Sequence, residues 1–285
     1  MVGLEDLAGR SFGPFPVDLS RSQVGRLAAA TGDDPGVWDT HVPPYAANAA
    51  LFAVAPAFLE DESVSRLTRS LIHSEQAFEW GRAPVHDEAM EVMGRVDSVR
   101  ARGALNLASF SFEAASPQGR WVTGSSVFLL SAQAAAASDD RMEPPPLLRP
   151  DIDPMSPSSL PPEGAATAPV RVGASREDVI RYAAASGDWN PIHWDHDSAR
   201  RAGLSTTIVH GLLMTAWLTR AAMRYAASQP GVVTMKARFR SPLAPGEGAA
   251  VSGSVLAVGE DDAELDLVLA SGEERMVTAR FRVTR

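Results

Sequence analysis

The chain has 285 residues, of which 45% are apolar, so it is long enough for one large or two medium domains with proper cores. It contains no cysteine, which excludes disulfides, thiolate metal sites and a cysteine nucleophile. The net charge of −9 argues against a nucleic-acid partner. No apolar run approaches the roughly 20 residues that a membrane span needs. The first residues lack the basic and apolar regions of a signal peptide, so we expect a cytoplasmic protein.

An alanine-rich helix is the first predicted element. Ser20 and Gln23 are typical of a helix start, and Gly32 is typical of a helix end. A longer apolar helix is predicted over residues 45–59. Stretches with alternating apolar residues and many Val, Phe and Thr follow it up to residue 131, and they predict antiparallel strands.

A proline-rich segment then divides the chain. Nine of the chain's 21 prolines lie between Pro144 and Pro169. This composition is typical of an extended linker that forms no packed layer of its own. We therefore predict an amino-terminal unit at 1–131, a linker at 132–168 and a carboxy-terminal unit at 169–285.

The second unit repeats the elements of the first. Residues 175–188 (SREDVIRYAAASGD) align without a gap with residues 20–33 (SRSQVGRLAAATGD), and Ser175 with Asp178 gives the second copy the same kind of helix start. A second apolar helix is predicted over 210–227, and strand-like stretches follow it. One central helix against a curved antiparallel sheet, twice over, is an α+β arrangement that indicates duplication.

The turn after the second alanine-rich helix carries the candidate chemistry. Gly187 ends the helix and Pro191 forces an extended turn, which brings Asp188 and His193 close together. A carboxylate and an imidazole in an apolar niche can have shifted pKa values and exchange protons near neutral pH. The same residue types also form ordinary turns. The niche is expected from three apolar neighbours: Trp189, Ile192 and Trp194.

A His-Gly pair, His210 and Gly211, begins the second apolar helix. Backbone N–H groups at a helix start lack partners, and the helix dipole favours negative charge there. Glycine lets a ligand carbonyl approach closely. Gly211 is therefore a candidate oxyanion donor. The alternative is that Gly211 permits tight packing while His210 caps the helix.

Together, the motif Y-A-x-x-S-G-D-x-N-P-I-H at 182–193 and the I-V-H-G sequence at 208–211 closely resemble the MaoC-like hydratase family. Its members are (R)-specific enoyl-CoA hydratases and 3-hydroxyacyl-thioester dehydratases of the hotdog fold. The resemblance implies a double hotdog that reversibly hydrates trans-2-enoyl thioesters. It also implies that the acyl group is carried on coenzyme A or on an acyl carrier protein, and that the reaction needs neither cofactor nor metal.

The resemblance also assigns roles to individual residues. It implies that Asp188 and His193 act on the catalytic water, and that Asn190 supports the turn. It implies that the N–H of Gly211 binds the thioester carbonyl. Two further residues of the motifs are expected to support the site: Tyr182 and His210.

The first unit departs from this pattern. It keeps the aspartate as Asp33, but Pro35 and Trp38 stand where the motif has asparagine and histidine, and residues 45–46 are Tyr-Ala instead of His-Gly. The resemblance to double-hotdog members therefore implies one active site. We expect the apolar helix at 45–59 to line a channel for the acyl chain.

An anionic carrier needs local positive charge, which the acidic chain offers in two places. The first is Arg200 and Arg201, and the second is Lys236, Arg238 and Arg240. Solvated surface charges are the alternative in each case.

Other interpretations remain open. A metal site is one, formed by four residues in a compact cluster: His193, Asp195, His196 and Asp197. A short helix with a solvated face explains the same cluster. A hotdog acyl-thioesterase and a non-catalytic thioester-binding subunit are further alternatives, and the sequence permits either a monomer or a homodimer.

Overall fold

A computed structural model describes most of the chain, namely residues 4–65, 68, 70–103, 105–131, 147–227 and 231–285. The elements of the first half are β1 (Ser11–Val17), α1 (Arg21–Ala30), α2 (Ala47–Leu59), α3 (Glu62–Ser65), β2 (Ser70–Trp80), β3 (Met90–Arg102), β4 (Leu105–Ser116) and β5 (Gly119–Ser131). Those of the second half are β6 (Val170–Val172), α4 (Arg176–Ser186), α5 (His196–Arg201), α6 (Gly211–Met223), β7 (Val232–Phe239), β8 (Ala249–Val258), β9 (Asp262–Ser271) and β10 (Glu274–Thr284).

All ten strands form one antiparallel sheet, in the order β1-β3-β4-β5-β2-β7-β10-β9-β8-β6. The order is symmetrical about the β2–β7 pair, so each strand of one half has a counterpart at the same distance on the other side. Gln76 pairs with Ala237 and Phe78 with Met235 at this junction. The predicted duplication and the α+β double hotdog are confirmed.

Alternation of side chains explains which face of the sheet is covered. In β9, Ala263, Leu265, Leu267 and Leu269 are buried, because successive residues of a strand point to opposite faces. The helix α6 packs on the buried face, and residues 212–219 of that helix are all buried. This confirms the prediction of a helix that is apolar on nearly all sides.

The helix ends differ slightly from the predicted ones. α2 begins at Ala47 because the residues Pro44–Ala46 form a 3-10 turn, and α6 ends at Met223. Ser175 and Asp178 form the predicted reciprocal cap of α4. In α1, Gln23 instead donates its side-chain amide to the carbonyl oxygen of Ala185, which joins the two halves.

The described part of the proline-rich segment, residues 147–168, packs against the second half. Arg149 forms an ion pair with Asp178 of α4, and Leu160 packs against the core. Thr167 donates its backbone N–H to Gly253 of β8 at 2.9 Å. Residues 132–146 of the predicted linker lie outside the described residues. In the described part of the chain, no helix has the length and apolar character to cross a bilayer.

Candidate active site

The turn between α4 and α5 positions Asp188 and His193. Gly187 ends α4 in the left-handed region, with a φ of 84°, which glycine adopts without strain. The side chain of Asn190 then caps the 3-10 turn Pro191–His193 by accepting the N–H of Ile192 at 3.3 Å. As a result, Oδ2 of Asp188 lies 3.8 Å from Nε2 of His193.

The hydrogen bonds of His193 fix its tautomer. Its Nδ1 lies 2.8 Å from the carbonyl oxygen of Ile208, which can only accept, so Nδ1 carries the proton. The lone pair of Nε2 therefore faces the carboxylate of Asp188. A separation of 3.8 Å is too long for a direct hydrogen bond, and it suits a bridging water. Two acceptors facing one water would accept a hydrogen bond from each of its hydrogens. An oxygen lone pair of the water would then stay free to attack.

Burial shifts both members of the pair toward their neutral forms. Desolvation raises the pKa of Asp188, and the nearby His193 opposes this shift. Desolvation also lowers the pKa of His193, and Asp188 opposes it. The pair is thus held close to the pH range in which a proton can move between its members and a water.

The predicted apolar niche has a different origin. Trp189 and Trp194 are 53% and 40% exposed, so the expectation that they dry the site is wrong. The turn presents its two tryptophans to solvent. Asp188 and His193 are instead buried by residues from other elements. The ring of His210 stacks on His193 at 3.8 Å between centroids, and Tyr182 lies 4.9 Å from His210. Both Tyr182 and His210 are fully buried.

His210 holds the backbone of the turn between α4 and α5. Its Nε2 donates to the carbonyl oxygen of Asp188 at 3.2 Å. Its Nδ1 is buried and has no hydrogen-bond partner among the described residues. Burial and the neighbouring His193 lower the pKa of His210, so its ring is neutral. The side chain makes no capping bond to α6, contrary to the alternative of a local cap.

Gly211 is the first residue of α6, so its N–H has no acceptor within the helix. A Cβ at this position would lie 2.9 Å from Cε1 of Phe239. Glycine is therefore required for packing against Phe239. The structure shows the packing role of Gly211, and its role as an oxyanion donor stays a prediction.

The first half contributes Asn48, a residue that the sequence analysis missed. Its side-chain amide donates to the hydroxyl oxygen of Tyr182 at 3.1 Å and to the carbonyl oxygen of Leu212 at 2.9 Å. Burial and, to a smaller extent, the charge of Asp188 raise the pKa of Tyr182, so its hydroxyl stays protonated. The available signal was a polar residue within an otherwise apolar helix, since buried amides need partners.

The counterpart of Asp188 in the first half, Asp33, is bound on all sides. Its Oδ2 accepts from Nε1 of Trp38 at 2.9 Å and from the hydroxyl of Tyr45 at 2.8 Å. Its Oδ1 lies 3.2 Å from Nη2 of Arg220, which comes from α6. The carboxylate of Asp33 is thus occupied by contacts within the fold. No imidazole of the described residues faces it, unlike Asp188, which faces His193.

The two predicted basic groups lie apart. Arg200 and Arg201 end α5, where Arg201 lies 3.7 Å from Asp195. Lys236 and Arg238 point away from α6, because they alternate with the buried Met235 and Ala237. A groove on this outer face of the sheet is lined by four basic residues: Lys236, Arg238, Arg240 and Arg280. The sequence analysis missed Arg280, which pairs with Lys236 across the β7–β10 ladder.

The metal cluster that the sequence left as an alternative is not brought together among the described residues. Asp195 caps α5, and Nδ1 of His196 faces Thr206 at 3.4 Å. In the described part of the chain, the group with suitably close ligand atoms is instead Asp188, His193 and His210, within 4.8 Å of one another. The two imidazole rings are stacked with only 25° between their planes. Their in-plane lone pairs therefore cannot meet at one ion unless a ring rotates.

Comparisons with known proteins relate part of the second half to a described family. A family model described as "MaoC like domain" matches residues 159–270. The mitochondrial 3-hydroxyacyl-[acyl-carrier-protein] dehydratase of Arabidopsis thaliana is 41% identical over 75 residues, which are 26% of this chain and 43% of that protein. The peroxisomal multifunctional enzyme type 2 of Drosophila melanogaster is 37% identical over 73 residues, which are 25% of this chain and 12% of that protein. The match thus spans less than half the length of either relative.

The fold comparison covers the whole chain. A solved structure described as a MaoC-like dehydratase matches 99% of both chains, with a TM-score of 0.80 and 19% identity. An identity this low shows the fold alone. Residues 159–270 therefore match the MaoC-like domain family, within a fold that resembles a MaoC-like dehydratase over 99% of the chain.

Proposed function

We propose that this protein is a hydro-lyase that reversibly hydrates trans-2-enoyl thioesters to (R)-3-hydroxyacyl thioesters, at one site in its second half. The observation that carries the proposal is the 3.8 Å gap between Oδ2 of Asp188 and Nε2 of His193. These two acceptors suit a nucleophilic water, and the first turn of α6 supplies a donor for the thioester oxygen. The (R) configuration is implied by the family resemblance.

The reaction follows from these groups. The water oxygen forms a bond to C3, and its proton passes to the Asp188–His193 pair. The electrons of the C2=C3 bond move onto the thioester oxygen, where the N–H of Gly211 stabilises the charge; one such donor is typically worth about 3–4 kcal/mol. The pair then returns the proton to C2. Dehydration is the reverse path, and Asn190, Tyr182 and His210 hold the pair in place.

The carrier of the acyl group is proposed to be coenzyme A or an acyl carrier protein. Arg238 and Arg240 are the better candidates for its phosphate, because they line a groove with Lys236 and Arg280. Arg238 is partly neutralised by Glu75, at 3.1 Å.

An absorbance assay tests the reaction class. The purified protein should consume the conjugated absorbance of trans-2-enoyl-CoA substrates, and chain lengths from short to long should be compared. Free thiol is measured in the same samples, since a thioesterase needs water to attack C1 and releases the thiol. Loss of absorbance without thiol release supports the proposal. Thiol release would favour a thioesterase, and the absence of both reactions would favour a binding subunit.

The pH dependence provides a second prediction. Activity needs a charged Asp188 and a neutral His193. Burial raises the pKa of the first and lowers that of the second. We therefore expect kcat/KM to fall on the acid side, with a midpoint above the ordinary aspartate pKa of about 4. Rates should be measured over the range in which circular dichroism shows an intact fold. A flat profile through this window would contradict the assignment.

The acyl channel provides a third prediction. Ala49, Phe52 and Ala53 are partly exposed on one face of α2, and a Cβ at Gly187 would lie 3.6 Å from Cβ of Phe52. This face therefore leads toward the catalytic turn. Ala49→Phe or Ala53→Phe should reduce kcat/KM for long acyl chains while short chains react normally. Ala29→Phe, on the exposed face of α1, is the matched control. An unchanged chain-length profile in both variants would count against the channel.

A further inference from the structure

The first turns of the two central helices meet beside the candidate active site. Asn48 is the second residue of α2, and Leu212 is the second residue of α6. The side-chain amide of Asn48 donates to the carbonyl oxygen of Leu212 at 2.9 Å. Leu212 directly follows Gly211 in the chain. This bond therefore fixes α2 to the turn of α6 that carries the proposed oxyanion donor.

The same amide also holds the helix that precedes Asp188. It donates to the hydroxyl oxygen of Tyr182 at 3.1 Å. Tyr182 lies in α4, six residues before Asp188, and the centroid of its ring lies 4.9 Å from that of His210. A primary amide has two hydrogens to donate, so one side chain from the first half contacts both elements that carry the candidate site.

Burial makes these two hydrogen bonds decisive for the position of the amide. Asn48 is 1% exposed, and Tyr182 is fully buried. A buried amide without partners is costly, so its hydrogen bonds determine where the side chain lies. Every other residue of α2 is apolar. Packing alone therefore does not explain an asparagine at this position.

The bond to Tyr182 has no counterpart in the first half. In the alignment of the two alanine-rich helices, Leu27 stands at the position of Tyr182. A leucine side chain can neither donate nor accept a hydrogen bond. The bond between Asn48 and Tyr182 is therefore specific to the half that holds Asp188 and His193.

We propose that Asn48 is a positioning residue that sets the distance between the Asp188–His193 pair and the N–H of Gly211. The inference rests on the proposed function, and it gives the first half an indirect part in the reaction at the other half. The reacting atoms must lie between these groups, and a misplacement of about 1 Å can lower a rate about a hundredfold. The two bonds of Asn48 hold reacting groups and do not contact the thioester. Their loss should therefore lower kcat more than it changes KM.

Replacing Asn48 with leucine tests this role, because leucine has a similar size and forms no hydrogen bond. In the enoyl-CoA absorbance assay we expect kcat to fall about tenfold to a hundredfold, while KM changes less than about twofold. Asn48→Gln keeps the amide and should restore part of kcat. Thr215→Val is the matched control, since Thr215 donates to the same carbonyl of Leu212 from within α6, at 3.0 Å. This control should keep kcat within about twofold of the wild type.

A double-mutant cycle with Tyr182→Phe isolates the bond between the halves. Tyr182→Phe removes the same hydrogen bond from its other end. The combined Asn48→Leu and Tyr182→Phe variant should therefore lose less kcat than the product of the two single losses. Single losses that multiply in the combined variant would show that the two residues act independently, and they would contradict the inference.

The remaining outcomes separate this inference from the proposed function. A kcat within about twofold of the wild type in folded Asn48→Leu would overturn the inference. If circular dichroism shows that Asn48→Leu does not fold, the same criterion applies to Tyr182→Phe. A higher KM at unchanged kcat would assign Asn48 to substrate binding and count equally against it. If Asp188→Asn retained full turnover, the proposed function itself would fail, whatever the Asn48 variants do.

Discussion

Replacing Asp188 with asparagine is expected to lower kcat for hydration at least a hundredfold, within the range of about 10²- to 10⁴-fold that one positioned acid–base group supplies. Asparagine keeps the shape of the side chain but cannot take a proton from the water. His193→Ala should have a loss of similar size, because Nε2 is the second acceptor of the same water. The measurement is the enoyl-CoA absorbance assay at saturating substrate. Near-wild-type turnover in either variant would overturn the assignment.

The same Asp188→Asn change should leave the fold intact or stabilise it. Burial raises the pKa of Asp188 in the folded state, so the folded protein holds this proton more tightly than the unfolded chain does. Stability from this group is then present at low pH and is lost as the pH rises through the folded pKa. At pH 7 the buried charge costs stability, and a neutral amide removes that cost. We expect a melting temperature at or above the wild-type value. Asp197→Asn, at an exposed site nearby, is the control.

Asp33→Ala is expected to have the opposite profile, with a loss of stability and intact chemistry. The change removes the ion-pair partner of the largely buried Arg220 and the acceptor of two hydrogen bonds, from Trp38 and Tyr45. Breaking a buried ion pair by removing one partner typically costs about 3–5 kcal/mol. Urea unfolding should show this loss, while kcat per folded molecule stays within about twofold of the wild type.

A double-mutant cycle isolates the ion pair. Arg220→Met removes the charge that Asp33→Ala leaves without its partner, so the double variant should lose less stability than the two single losses added together. Simple additivity would show that Asp33 acts through Trp38 and Tyr45 alone. A hundredfold loss of kcat in folded Asp33→Ala would instead assign this half a direct part in the chemistry.

Local signals predicted the framework of the site. The cap at Ser175, the left-handed Gly187 and the proline at position 191 each act within a few residues, so the chain alone determines how the turn begins and ends. That turn places Asp188 near His193. The duplication could also be predicted from the sequence, because both copies keep the same alanine-rich helix and differ mainly in the candidate catalytic residues.

Contacts between the two halves could not be predicted from the sequence. Asn48 and Tyr182 are 134 residues apart in the chain, and no periodic pattern encodes that they meet. The same holds for His73 and Phe239, which meet only because β2 and β7 pair and then part. The exposure of Trp189 and Trp194 has a similar cause, since the niche is filled by residues from other elements.

The ends of the sheet determine how a second molecule could meet this one. β1 lies at one end, and it has two prolines and an irregular register between Phe12 and Phe15. β6 lies at the other end and is only three residues long. Prolines, irregularities and short strands deprive a sheet margin of the backbone groups that would template another chain. Self-association through strand addition is thereby disfavoured, so a homodimer would have to form through side-chain surfaces.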